Sequence, residues 1–215
     1  MSFTYNVPRR RNERLREQIV DAAYRLFAER GYHQTHVSTI AAELQLGHGT
    51  FYRYFENKLA IFVAVIDRVI ARLSEVTVGD PPGAESAAAY REQVERIGAR
   101  LFDVFTGDPH LARIVLVEAV GIDELVSARV EAAFSIMAAV TRAYLEHGVA
   151  RGFLRAELDC ERTARLINAC ILEGARGVLR AESGARSEEG ARWRSAAIAL
   201  LFEGVGGGAG APGST

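Results

Sequence analysis

The sequence predicts an all-α protein, and three features carry that prediction. Apolar residues recur at three- and four-residue spacing along most of the 215 residues, no convincing alternating run suggests a strand, and the periodic stretches are cut at Gly and Pro clusters. Near the amino end, two of these stretches are short and joined by only three or four residues, with a longer stretch before them. That is the layout of a helix-turn-helix, so a three-helix amino-terminal domain followed by a larger helical carboxyl-terminal domain is expected. With 49% hydrophobic residues, the chain has ample material for a buried core.

The first helix is expected over 12–30, where Leu15, Ile19, Ala22, Ala23, Leu26 and Phe27 form one stripe and Gly31 supplies the stop. Residues 1–11 precede it as a flexible basic arm containing Arg9, Arg10 and Arg11. A second helix, over about 37–44, places Val37, Ile40, Ala41 and Leu44 on one face and ends in the turn Gln45-Leu46-Gly47. A third runs over about 48–55. The fourth, over about 57–76, turns Leu59, Phe62, Val63, Ile66, Val69, Ile70 and Leu73 inward. The stretch TVGDPPGAES at 77–86 interrupts the pattern, because Pro81 and Pro82 cannot continue a helix. Helices resume over about 85–106, 109–120, 122–150, 160–182 and 188–204. The tail, 205–215, is expected to be disordered, since it has little to bury and its glycines lose the most entropy on ordering. The chain therefore reads as an arm (1–11), a helix-turn-helix domain (12–56), a helical domain (57–204) and a tail (205–215).

Composition excludes several classes. The net charge is -1, yet residues 1–60 hold nine Lys or Arg against six acids, so the amino end is mildly basic and the rest mildly acidic. Cys160 and Cys170 match no metal or redox spacing and offer no disulfide framework, which points to a reducing cytoplasm. No stretch approaches the ~20 apolar residues that span a bilayer, and no secretory core is present at the amino end. A phosphate loop, a nucleophile elbow and paired metal-spaced acids are all missing, so an enzyme, a cofactor and a metal site are not expected. His33 and His36 fall in a turn without a third ligand.

The stretch LGHGTFYRYFENK at 46–58 combines four aromatic rings with glycines and basic residues. In a helix-turn-helix, Leu46, Phe51 and Phe55 would anchor the small core. His48, Gly49, Thr50, Tyr52, Arg53, Tyr54 and Lys58 are then left to the outside or the rim, where a short helix can enter a major groove and its surroundings can hold phosphates.

Residues 12–62, and above all GYHQTHVSTIAAELQLGHGTFYRYFENKLAIF, resemble the DNA-binding domain of the TetR family of transcriptional regulators. The resemblance implies that His48, Gly49 and Thr50 lead the recognition helix. It also implies that Tyr52, Tyr54 and Lys58 hold phosphates and that Ser38 and Thr39 face the groove or backbone. Three departures stand out: Gln45 replaces the usual turn glycine, Gly47 replaces a Ser or Thr cap, and His36 stands where a capping Thr is common. The resemblance further implies a homodimer on a double-stranded operator, with an all-helical domain that binds a small-molecule effector.

For that effector, Phe62, Tyr90, Phe102, Phe105, Leu116, Phe134, Met137 and Tyr144 are candidate pocket residues, although each reads first as ordinary core, and Glu118 is a polar candidate. Glu118 has the further options of pairing with Arg113 or facing solvent. Small residues among large ones in the last two helices suggest a four-helix dimer interface from Leu166, Ala169, Cys170, Gly174, Gly177, Trp193, Ala197, Leu200 and Leu201, with packing inside one chain as the alternative. The expected function is a ligand-responsive dimeric regulator, a repressor released by a hydrophobic or aromatic effector. A small-molecule-binding dimer that has lost DNA reading and a thiol-based redox regulator are the competing readings.

Overall fold

Helix α1 (Val7–Arg30) starts five residues earlier than the apolar stripe suggests. Pro8 falls in its first turn, where no intrahelical N–H is required, and the arginines after it are good helix formers. The basic-arm expectation is corrected to that extent. In the computed structural model the described residues are 7–204, without the side chains of residues 7–10 and of His48; residues 1–6 of the expected arm and the 205–215 tail lie outside them. Every regular element among the described residues is helical, as the periodicity predicts.

The chain continues through α2 (Val37–Glu43), α3 (His48–Tyr52), α4 (Lys58–Val78), α5 (Ala87–Gly107) and α6 (Pro109–Arg113). A π-helical turn (Ile114–Glu118) extends α6, and α7 (Glu124–Ala150), α8 (Cys160–Arg180) and α9 (Arg186–Phe202) complete the fold. Helix α3 is shorter than expected, and the single helix expected over 109–120 is instead α6 plus the π turn.

Packing divides these elements into two units that do not follow chain order. Of the described residues, one unit takes those up to Glu75 with Asp108–Ile136, and the other takes Val76–Gly107 with those from Met137 onward. In the first, α6 and the π turn pack on α1, which is why the segment after residue 107 groups with the amino end. Its core gathers Ile19, Ala22, Ala23, Leu26 and Phe27 of α1, Ile40 and Ala41 of α2, Phe51 of α3, and Ile61, Phe62, Val65 and Ile66 of α4. Phe62 meets Phe27 and Tyr32 edge-on, with centroids 5.2 and 4.8 Å apart. Each such buried ring contributes about 2–3 kcal/mol by removal from water.

In the second unit α5, α8 and α9 pack closely, with Tyr90, Phe102, Phe105, Tyr144 and Leu145 buried. The Tyr90 hydroxyl donates to the Tyr144 carbonyl at 3.2 Å, and burial pushes its phenol up to about 12. The loop before α5 is tied down by Asp80, which accepts from Gln93 Nε2 at 2.7 Å and pairs with Arg96; these contacts hold its carboxyl below the usual range. Asp159 caps α8 by accepting the Arg162 N–H at 2.9 Å.

Candidate nucleic-acid interface

The turn between α2 and α3 is a Schellman closure. Leu46 N–H donates to the Ala41 carbonyl at 2.9 Å and Gln45 N–H to the Ala42 carbonyl at 3.0 Å, satisfying the last carbonyls of α2. The closure requires a left-handed residue, and Gln45 supplies it at φ +55°. A side chain there costs roughly 1–2 kcal/mol, of which glycine would save all but its own chain entropy. Gln45→Gly is therefore expected to raise stability by about 0.5–1 kcal/mol. Gln45→Val should lower it by about 1 kcal/mol or more, because a β-branched residue fits that region worst. Thermal unfolding followed by circular dichroism reads both, and equal melting temperatures would refute the assignment of strain.

Neither His36 nor Gly47 makes a side-chain cap to the helix it precedes. The α1–α2 junction is held instead by Thr35, which is fully buried and donates its hydroxyl to the Gly31 carbonyl at 2.8 Å, with the Leu26 carbonyl 3.2 Å away. Gly31, at φ +91°, makes the sharp exit from α1 that brings Thr35 there. Thr35 is a structural residue that the apolar pattern could not single out.

The anchor residues behave as the spacing predicts: Phe51 and Phe55 are buried, while Leu46 is half-buried. Ser38, Gly49, Tyr52 and Arg53 are exposed, Tyr52 at 50%, and Thr39 and Thr50 are half-buried beside them. The side chain of His48 lies outside the described residues, so its place on α3 is known from the backbone alone.

Two expected phosphate holders have partners inside the domain. The Tyr54 hydroxyl donates to Asn12 Oδ1 at 3.0 Å, fastening the end of the recognition segment to α1. Lys58 Nζ donates to the Tyr32 carbonyl at 2.9 Å and lies 4.3 Å from the Tyr32 ring centroid. Burial lowers this ammonium below the ordinary lysine value. Arg16 adds a third brace, its guanidinium 5.0 Å from the Phe55 ring. Sequence reading missed Asn12 and Arg16, since neither belongs to the recognition stretch.

The geometry is that of a helix-turn-helix whose short second helix is held from behind by rings and hydrogen bonds while a polar strip faces out. A family model described as bacterial regulatory proteins, tetR family, matches residues 19–65. This helix-turn-helix belongs to the TetR family. The chain is 36% identical over 81 residues to the uncharacterized HTH-type transcriptional regulator YuxN of Bacillus subtilis (strain 168), covering 35% of this chain and 26% of that protein. It is 41% identical over 58 residues to the fatty acid metabolism regulator protein of the same organism, 27% of this chain and 30% of that protein. The matches thus span under a third of the length of these relatives. Among solved structures, FadR from Bacillus subtilis in complex with stearoyl-CoA superposes with a TM-score of 0.68 at 23% identity, covering 88% of this chain and 99% of that one. The MbdR regulator from Azoarcus sp. CIB gives a TM-score of 0.68 at 19% identity, over 88% of this chain and 97% of that one. These structures share the fold of the chain beyond its helix-turn-helix.

The other candidate residues are distributed more widely than the sequence suggests. Phe62 belongs to the core behind the TetR-family helices, and Glu118 accepts hydrogen bonds from Arg113 and from the Tyr32 backbone instead of standing in a pocket. Leu116 and Phe134 are half-buried in the first unit. Tyr90, Phe102, Phe105 and Tyr144 are buried in the second, where Met137 is half-buried. A surface groove of about 580 Å³ runs along α5 and α9, lined by Glu92, Arg96, Ala99, Arg194, Ser195 and Ile198 among others, and it includes none of the expected pocket residues.

Of the interface candidates, Gly174, Gly177 and Trp193 have close packing partners within the chain. A Cβ on Gly174 would lie 2.7 Å from Phe102, and one on Gly177 would overlap the Trp193 indole. Leu166 and Leu200 remain exposed at 67% and 49%, with Ala169 also exposed and Cys170, Ala197 and Leu201 half-buried.

The two cysteines lie on α8, about 15 Å apart along its axis, too far for a disulfide between them. Burial, with Glu146 and Asp159 nearby, pushes the Cys160 thiol up, away from the thiolate a redox sensor needs. Among the described residues no helix is long and apolar enough to cross a membrane, and no cluster of His, Cys, Asp or Glu could hold a metal.

Proposed function

We propose that the chain is a dimeric, ligand-responsive transcriptional repressor that reads a near-palindromic operator. The observation that carries this reading is the division of residues across the helix-turn-helix: Phe51 and Phe55 are buried, while Ser38, Gly49, Tyr52 and Arg53 are exposed and Thr50 is half-buried. Helix α3, which begins at His48, is the element that would enter the groove. The Schellman closure at Gln45 keeps the turn in working shape despite the missing glycine, which weighs against a chain that has lost DNA reading.

The exposed Leu166 and Leu200 suit the dimer contact. An apolar effector bearing a hydrogen-bond acceptor suits the aromatic interior of the second unit. There Asn168 is buried, its Oδ1 accepts from the Thr141 hydroxyl at 3.0 Å, and its Nδ2 has no partner. The stearoyl-CoA of the FadR structure has that chemistry, so acyl-CoAs of graded length are the first effectors to try. The test is selection from a pool of random duplexes. Two half-sites about one helical turn apart, bound with strong salt dependence and released by an acyl-CoA, are expected. Failure to enrich any sequence would refute DNA reading.

A further inference from the structure

The backbone of Tyr32, just beyond the end of α1, is gripped at two successive peptides. Its carbonyl accepts from Lys58 Nζ at 2.9 Å, and its N–H donates to Glu118 Oε2 at 2.8 Å, from 86 residues away in sequence. The Glu118 side chain is only 11% exposed, and its other oxygen accepts from Arg113 Nε at 3.3 Å. Gly31 lies beside this carboxylate: a Cβ there would meet Glu118 Oε2 at 3.4 Å, an ordinary contact, and it is the φ of +91° that calls for glycine.

The carboxylate reaches that position on an unusual backbone. Residues 114–118 form a π turn, with Ala119 N–H donating to the Ile114 carbonyl at 2.9 Å, five residues back. One added residue in a helical turn rotates the downstream side chains by about 100°, and such turns are seldom kept without a role. Here the rotation leaves Ile114, Val115 and Ala119 buried while directing Glu118 at the end of α1.

We propose that Glu118 is a positioning residue for DNA recognition: carried round by the π turn, its carboxylate latches the Gly31–Tyr32 peptide and so fixes the helix-turn-helix against residues 109–118. Tyr32 packs on Phe27 and Phe62, so a shift of its peptide is passed to the core that supports α3. The inference rests on the DNA-reading proposal, and the test separates the two.

Full-length wild type, Glu118→Ala and Glu118→Gln are compared by hydrogen exchange across residues 31–36 and by affinity for the duplex that wild type selects from a random pool. In Glu118→Ala the Tyr32 amide is expected to exchange at least about tenfold faster, with duplex affinity about tenfold weaker, as suits loss of a hydrogen bond to a charged group. Glu118→Gln keeps an acceptor oxygen and should recover most of both, and it carries the comparison if the alanine variant does not fold. Unchanged Tyr32 exchange overturns the latch, as does exchange that rises only in step with the amides of α4. Faster local exchange with unchanged duplex affinity overturns the positioning role. If wild type selects no duplex, the DNA reading falls and the positioning role with it, while the exchange comparison still decides the latch.

Discussion

Arg53→Ala is expected to weaken binding of the selected duplex about ten- to hundredfold and to make the plot of log affinity against log salt shallower by about two units. Arg53 is exposed at the end of α3, beside Tyr52, with Phe51 holding the helix from behind. On the proposed reading a guanidinium there would neutralise one phosphate per subunit, so a symmetric dimer would lose two counterion-releasing contacts at once. The loss should be similar for matched and mismatched duplexes, because phosphates carry no direct sequence information.

Lys58→Met is the informative contrast. Its ammonium is engaged with the Tyr32 carbonyl and ring, so the variant should lower the melting temperature and leave the salt slope near that of wild type. Removing a donor from a partly buried carbonyl costs about 1–2 kcal/mol, roughly 2–8 °C for a chain of this size. A salt slope reduced as much as in Arg53→Ala would restore Lys58 to the phosphate contacts that family resemblance assigns it.

The difference between those two residues shows where the sequence was legible. Spacing along a helix reports which way a side chain starts, and that was enough for Phe51, Phe55 and the α2–α3 turn, while the family resemblance marked Gln45 as the residue in place of the turn glycine. It does not report what a long side chain meets at its far end. Lys58 and Tyr54 stand at rim positions by spacing, yet their tips reach Tyr32 and Asn12, 26 and 42 residues away. Glu118 was conspicuous as a carboxylate among apolar residues and its pairing with Arg113 was among its options, but its other partner is a backbone N–H, which no sequence pattern marks. The π turn that aims it is equally silent, since Ile114–Glu118 reads as ordinary helix. The division into units was hidden for the same reason: α6 groups with α1 through contacts distant in sequence.

Two glycines in helix interiors should respond to the same substitution with opposite signs. Alanine in place of glycine within a helix gains about 0.5–1 kcal/mol from backbone entropy wherever the methyl group has room. At Gly98 of α5 the nearest atom to an added Cβ is Arg194 Cγ at 3.9 Å, an ordinary contact on a flexible chain. Gly98→Ala should therefore raise the melting temperature by about 1–4 °C. At Gly174 of α8 the added Cβ would lie 2.7 and 2.8 Å from Phe102 Cζ and Cε1, with Trp193 Cβ at 3.3 Å on another side. Phe102 is buried and cannot swing away, so either its ring or α8 must move, at a cost of about 1–3 kcal/mol that outweighs the entropic gain. Gly174→Ala should lower the melting temperature by several degrees. The same reasoning separates the two readings of these glycines. If Gly174 were small in order to admit a second subunit, alanine would weaken dimerisation and make the melting temperature depend more steeply on protein concentration. With Phe102 and Trp193 as the obstacles, the loss should be the same at all concentrations, and a concentration-dependent loss would return Gly174 to the subunit interface.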